Sequence, residues 1–229
     1  MEHESASAEG AARPPWLGRS IERVEDAALL CGCGQYADDL GGKPGMLHAA
    51  VVRSPHAHAI VKAVDATAAE CRAGVRAVLT AQDVRAWSQP FIVGVKQPME
   101  HWCLAVDRVR YVGEPVVVVV ASSRALAEDA ADMVRVEYEV LGAVVDIDQA
   151  LNPQAPVLHP EVGSNVVSDR SFRYGDPEAA FATAPHQVAL TVRYPRNSCT
   201  PIECAVVVAE YQPADSAVMR PFNSTAALM

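Results

Sequence analysis

Pro44-Gly-Met-Leu-His-Ala-Ala-Val-Val-Arg53, then Ser54-Pro-His-Ala-His58, then Ala59-Ile-Val-Lys-Ala-Val-Asp65 is the stretch that decides the fold. Met46–Arg53 is apolar, partly β-branched and closed by Ser54-Pro55, which predicts a strand. Ala57–Asp65 predicts a second strand, with Ile60 and Val61 at its centre. The stretch continues with Ala66–Arg72, a short helix that Gly74 can end. Val75–Leu79 predicts a third strand. Thr80 caps a helix over Ala81–Ala86, and Asp83 stands at the third helical position, where a capping box needs its acid.

Outward from there, the pattern alternates short strands with small helices. Pro90–Glu100 has two prolines and no clean period, so it reads as a loop. Cys103–Tyr111 resumes with an apolar edge, and Val112-Gly113-Glu114-Pro115 reads as a turn. Val116–Ala121 is nearly all valine, the composition of a strand buried on both faces. Ser123–Met133 is the best helix, with Leu126, Ala130 and Met133 on one side. Val134–Leu141 alternates as a half-buried strand, and Asp146–Leu151 reads as a short helix.

Asn152–Gly163 carries three prolines and reads as a linker, with a domain boundary near residue 155. Asn165–Tyr174 reads as extended. Asp176 and Pro177 start a helix that runs to Thr183. His186–Tyr194 and Ala205–Tyr211 predict strands, and Pro213-Ala214-Asp215 a turn. The sum is an α+β fold with no βαβ series and no internal repeat.

The chain has 229 residues, half of them hydrophobic, enough for a sizeable core. Its net charge of −9 argues against a nucleic-acid footprint, which needs a basic patch. Residues 1–16 are rich in Ala, Ser, Glu and Pro and read as a disordered lead without the charged and apolar regions of a secretory signal. The longest apolar run, Pro115–Ala121, falls short of the roughly 20 residues a membrane span needs. The six cysteines are dispersed, without a Cys-x-x-Cys pair, and read as reduced thiols. These features predict a cytoplasmic protein with no membrane span and no nucleic-acid partner.

Several residues invite a chemical reading. His56 and His58 stand two apart, a spacing that puts both on one face of a strand; a metal pair is geometrically possible, against a structural or surface role. Cys31 and Cys33 can chelate or form a redox pair, against two small residues in a glycine loop. Gly32 and Gly34 begin like a dinucleotide fingerprint, but no third glycine follows and no strand precedes. Glu114 lies in a turn beside the valine strand, where a structural carboxylate accepting backbone N–H groups is the plainer reading. Glu203 lies between Pro201-Ile202 and an apolar strand, where burial would demand a partner. No Ser-His-Asp order, P-loop or His-Glu-x-x-His pattern is present.

Five stretches together carry a resemblance. They are Arg23–Leu30 with Gly34–Asp39; Pro44–Ala49 through Arg53–Ala59; Val109-Arg-Tyr-Val-Gly-Glu-Pro-Val116; Ala125–Ala130 through Val136–Glu139; and Cys199-Thr-Pro-Ile-Glu203 with Val208–Tyr211. In this order, over residues 17–212, they resemble the N-terminal part of the large subunit of the molybdenum hydroxylases. That family comprises the xanthine dehydrogenases, aldehyde oxidases and aerobic carbon monoxide dehydrogenases. The Thr-Pro-Ile-Glu form is most similar to the carbon monoxide dehydrogenase-like branch.

The resemblance implies an α/β hammerhead domain over residues 17–152 and a partial first molybdopterin-binding domain over 160–229. It implies a complete enzyme that hydroxylates or dehydrogenates its substrate at a molybdenum–molybdopterin centre. Its partners would be the chain carrying the rest of the molybdopterin-binding region and subunits with iron–sulfur clusters and FAD. No catalytic residue of the family carries over. The Gly-Gly-Gly-Phe-Gly segment and the catalytic glutamate are absent, and on a loose pairing of Val218–Phe222 Met219 stands where the family has a glutamine. Glu114 and Glu203 are the near-site candidates, and the chain alone is expected to bind no cofactor. The alternative is a truncated, non-catalytic hammerhead protein with a scaffold or assembly role.

Overall fold

The computed structural model describes residues 16, 18–36, 39, 41–93, 99–195, 197, 205–210 and 220–223. Lys43–Val192 form one compact unit, and Met1–Gly42 with Arg193–Met229 form another.

The larger unit is built on two three-stranded antiparallel sheets. In the first, β7 (Pro115–Ala121) lies between β1 (His48–Arg53) and β3 (Val75–Leu79). The central position explains the valine run, because a strand paired on both sides and covered on both faces has no polar surface to serve. Val116, Val117 and Val119 are at most 1% exposed. Pro115 opens the strand, where a missing N–H costs no ladder bond. Val51 pairs with Val118, and Val119 pairs with both Ala50 and Val78.

In the second sheet, β2 (Ala59–Asp65) lies between β6 (Arg108–Val109) and β8 (Arg135–Val140). Its buried face joins the first sheet: Ala59, Ala105, Val109, Val116 and Val117 form one core, flanked by Val136 and Tyr138. A second cluster unites Ala69 of helix α2 (Thr67–Glu70), Val119, and Ala130 of helix α4 (Arg124–Ala131). Ser123 caps α4 by accepting from the Leu126 amide, and the inward residues are Ala127 and Ala130. Leu126 and Met133 are only half-buried, so the helix meets the sheet through its small side chains, which allow close approach. Gly74 adopts φ +92° just before β3, and a Cβ there would stand 2.5 Å from Leu126 Cδ2. This is a position only glycine occupies without strain.

Helix α3 (Ala81–Trp87) begins as expected: the Thr80 amide and hydroxyl donate to the Asp83 carboxylate at 2.7 and 2.9 Å. Helix α6 (Pro177–Thr183) also starts at its expected cap, Asp176, and helix α5 (Ile147–Ala150) is capped by Asp146, which the pattern places inside the helix.

The structure corrects two expectations. The stretch 90–100 is not all loop: β4 (Phe91–Val93) pairs with β5 (Met99–His101), and Phe91 lies opposite His101. Pro90 precedes β4 and neither strand contains a proline, so both ladders stay intact. The second correction is His186–Tyr194, which forms no strand. Its apolar residues Val188, Leu190, Val192 and Tyr194 are 77–90% exposed, with no partner strand beside them among the described residues. Alternation alone does not make a strand, because the backbone N–H and C=O groups need a ladder.

The smaller unit holds helix α1 (Asp26–Leu30) and a two-stranded ladder of β9 (Val207–Glu210) with β10 (Arg220–Asn223). A helix, not a strand, precedes Gly32 and Gly34, which removes the context a dinucleotide-binding turn requires. The turn expected at residues 213–215 lies outside the described residues. No helix is long and apolar enough to cross a membrane among the described residues.

Candidate functional site

Three polar or charged residues are buried among the described residues: Ser54, His58 and Glu114. Ser54 and Glu114 lie where the turn after β1 meets the turn before β7, and His58 lies at the end of the same β1–β2 loop, beside Arg108 and Gly142. A buried polar group must find a partner or cost stability, and each of them does.

Two backbone hydrogen bonds clasp the turns: the Ser54 amide donates to the Glu114 carbonyl at 2.9 Å, and the Gly113 amide donates to the Ser54 carbonyl at 2.8 Å. Gly113 takes φ +90°, which the tight turn needs. Arg53 adds a hydrogen bond to the Gly113 carbonyl at 2.9 Å. The Ser54 hydroxyl accepts from the His56 amide at 3.0 Å, holding the loop that leads into β2.

Glu114 is 8% exposed, and its Oε2 accepts the backbone N–H of Arg110 at 2.5 Å. The carboxylate therefore closes its own turn. Beside it, burial first and the Glu114 charge second push the Tyr111 phenol up, against the opposing pull of Arg53.

The two histidines do not form a pair. They precede β2 rather than sharing a strand face, and their rings go to different partners. The His58 ring, with Nδ1–H as donor, reaches the Gly142 carbonyl at 2.8 Å, while its Nε2 lies 3.5 Å from Arg108 Nη1. The His56 ring packs edge-on against Tyr138 with centroids 5.0 Å apart. No group of three or more His, Cys, Asp or Glu stands together as a metal site among the described residues.

Arg110 is the residue that sequence reading missed. Its Nε donates to the Leu158 carbonyl at 3.1 Å, and its Nη2 stands 4.0 Å from Glu161. Glu161 also pairs with His159 Nδ1 at 3.0 Å. Burial pushes the Glu161 carboxyl up, but its own backbone amide, His159 and Arg110 together hold it below the usual carboxylate range. Arg110 thus ties the β6–β7 turn to the chain beyond residue 155. Its partners lie about 50 positions away, so no local spacing signals the link.

Glu203 and Met219 lie outside the described residues. Arg220–Asn223 take part in the β9–β10 ladder, with Phe222 opposite Val208.

The arrangement clamps turns. Among the described residues, its hydrogen bonds run from these buried side chains to backbone groups and to neighbouring side chains rather than from a nucleophile to a base.

A family model described as "Aldehyde oxidase and xanthine dehydrogenase, a/b hammerhead domain" matches residues 31–142. A second, described as "Molybdopterin cofactor-binding domain", matches residues 158–225. The two occur in the order of a molybdenum hydroxylase large subunit. The chain belongs to this family.

As a family member, it corresponds to the N-terminal portion of the large subunit. It is 39% identical over 91% of its length to the 6-hydroxypseudooxynicotine dehydrogenase complex subunit gamma of Paenarthrobacter nicotinovorans, covering 27% of that protein. It is 35% identical over 82% of its length to the carbon monoxide dehydrogenase large chain of Hydrogenophaga pseudoflava, covering 25% of it. Among solved structures it resembles quinoline 2-oxidoreductase from Pseudomonas putida 86, with a TM-score of 0.74 and 39% identity, over 86% of this chain and 25% of that one. The chain spans about a quarter of the length of these relatives.

An open cleft lies against the α5 region, lined by Ala143, Val144, Gln149, Asn152, Gln154, Ala155 and Pro156. It offers amides and apolar surface, and no arginine or lysine for the phosphate of a pterin cofactor. The Arg110 guanidinium is already engaged by Leu158, Arg108 and Glu161.

Proposed function

We propose that this chain acts as the scaffold portion of a molybdopterin-dependent hydroxylase or dehydrogenase, inactive alone and active once polypeptide supplies the rest of the molybdopterin-binding region. The observation that carries this is the contrast within one chain. The residues matched to the hammerhead family close a core around Val117, while the matched cofactor-domain residues leave Val188, Leu190 and Val192 exposed. The domain division proposed is a lead over residues 1–16, a hammerhead over 17–152 and a partial cofactor domain over 160–229.

In the complete enzyme a molybdenum–molybdopterin group would supply the redox chemistry, and partner subunits with iron–sulfur clusters and FAD would receive the electrons. This chain's contribution is mechanical. Glu114 holds the 110–114 turn through the Arg110 amide, and Arg110 fixes the first residues of the cofactor-domain segment. Glu203 is proposed as the second near-site carboxylate, on the Cys199–Glu203 resemblance. Relatives named for nicotine and quinoline chemistry, at 38% and 39% identity, favour an N-heteroaromatic substrate.

The test is to co-express this chain with the polypeptide encoding the remaining molybdopterin-binding region and purify through a tag on this chain. Molybdenum in the purified complex, with dye reduction on an N-heteroaromatic substrate, is expected. A chain that purifies alone and metal-free under those conditions contradicts the proposal.

A further inference from the structure

The turn that closes helix α1 holds Cys31 and Cys33, which the clamp at Glu114 does not use. Cys31 is the helix's C-cap residue. The Gly32 amide donates to the Leu29 carbonyl at 3.2 Å, and the Cys33 amide donates to the Ala28 carbonyl at 2.8 Å. With Gly32 at φ +69°, this pair of bonds is a Schellman motif. The motif fixes the two cysteines on either side of one left-handed residue. Gly34 then folds against Leu29, where a Cβ would come within 2.7 Å of Leu29 Cδ2.

The backbone separation permits a disulfide once the Cys33 thiol rotates off the Cys31 carbonyl. Residues flanking a single helical residue, of either hand, have Cα atoms about 5.4 Å apart, inside the range that a disulfide spans. The Cys33 thiol is turned back over the bend, with Sγ 3.7 Å from the Cys31 carbonyl oxygen. Both thiols are free and exposed. We propose that Cys31 and Cys33 are a reversible dithiol–disulfide pair that exchanges with low-molecular-weight disulfides such as oxidised glutathione.

The reaction balances in two exchanges. The Cys31 thiolate attacks one sulfur of the glutathione disulfide; a protein–glutathione bond forms and one glutathione thiolate leaves. The Cys33 thiolate then attacks the Cys31 sulfur, closes the Cys31–Cys33 bond and expels the second glutathione. The protein loses two electrons, the glutathione disulfide gains them, and the two thiol protons pass to the leaving thiolates.

The test equilibrates the full-length chain in graded oxidised and reduced glutathione, followed by acid quench and peptide mass mapping. The expected result is a peptide containing both residues that has lost two hydrogens, while Cys71 and Cys103, also free and exposed, carry only glutathione adducts. Cys33→Ser should instead trap glutathione on Cys31. Gly32→Ala, which strains the left-handed bend, should require a roughly fivefold more oxidising buffer for half-conversion. Independent glutathione adducts on Cys31 and Cys33, matching those on Cys71 and Cys103, would overturn the proposal. An unchanged midpoint for Gly32→Ala would also count against it, because the bend would then not be what brings the thiols together.

Discussion

Val116–Ala121 and His186–Tyr194 both read as strands in the sequence and meet opposite fates. The first lies between two strands, with Val117 and Val119 fully buried. The second leaves Leu190 83% exposed and forms no ladder among the described residues. The first is almost all valine, and the second alternates Val188, Leu190 and Val192 with Gln187, Thr191 and Arg193; both patterns predict a strand, so the pattern does not separate them. Pairing does. A strand exists where a neighbour takes its backbone groups and a layer covers its side chains. The hammerhead supplies both within about 100 residues; on the function proposed above, residues 186–194 receive them from further polypeptide.

The comparison breaks most visibly under charge. Val117→Asp would bury an unpaired carboxylate between the two sheets, and the expected loss exceeds about 4 kcal/mol, enough to unfold the unit. Leu190→Asp, on the exposed segment, should change stability by less than about 0.5 kcal/mol. Urea midpoints of the isolated chain read both; equal losses would mean that residue 190 is as covered as residue 117.

His58→Ala asks how much the polar junction contributes. It removes the partner of the Gly142 carbonyl and opens space beside Arg108, so a loss of about 2 kcal/mol is expected in the same assay. Gly74→Ala should cost about 1–2 kcal/mol. Leu126 can rotate away from the new methyl, but the left-handed backbone remains strained.

Acid gives the smallest effect. The Thr80 amide, then its hydroxyl, hold the Asp83 carboxyl below its usual range, and Glu161 is held low as well. A folded-state value below the unfolded one contributes stability above the unfolded carboxylate value of about 4 and loses it as pH falls through the folded value. The urea midpoint should therefore fall between neutral pH and about pH 3, and Asp83→Asn should fall less over the same interval.

The hammerhead's elements were largely legible in the sequence. β3 begins and ends where the pattern places it, and the capping box at Thr80 forms as read. Signals of this kind are local: a turn residue, a cap, a period. The β4–β5 pairing was not legible, because three-residue strands show no period. The Arg110 link was not legible either, because its partners are remote. For Glu114 the structural reading proved right in geometry, a carboxylate accepting a backbone N–H. The same-face spacing of His56 and His58 presumes a strand where the chain is still turning, and each ring has its own partner instead. The expected strand at 186–194 differs from these cases: its pattern is present, and its partner is what the described residues lack.

Hydrogen exchange on residues 115–121 and 186–194, in the isolated chain and in the co-purified complex, tests the central claim most directly. The account predicts strong protection of 115–121 in both states, and protection of 186–194 only in the complex. Protection of 186–194 in the isolated chain, or its continued exposure in a molybdenum-containing complex, would contradict it.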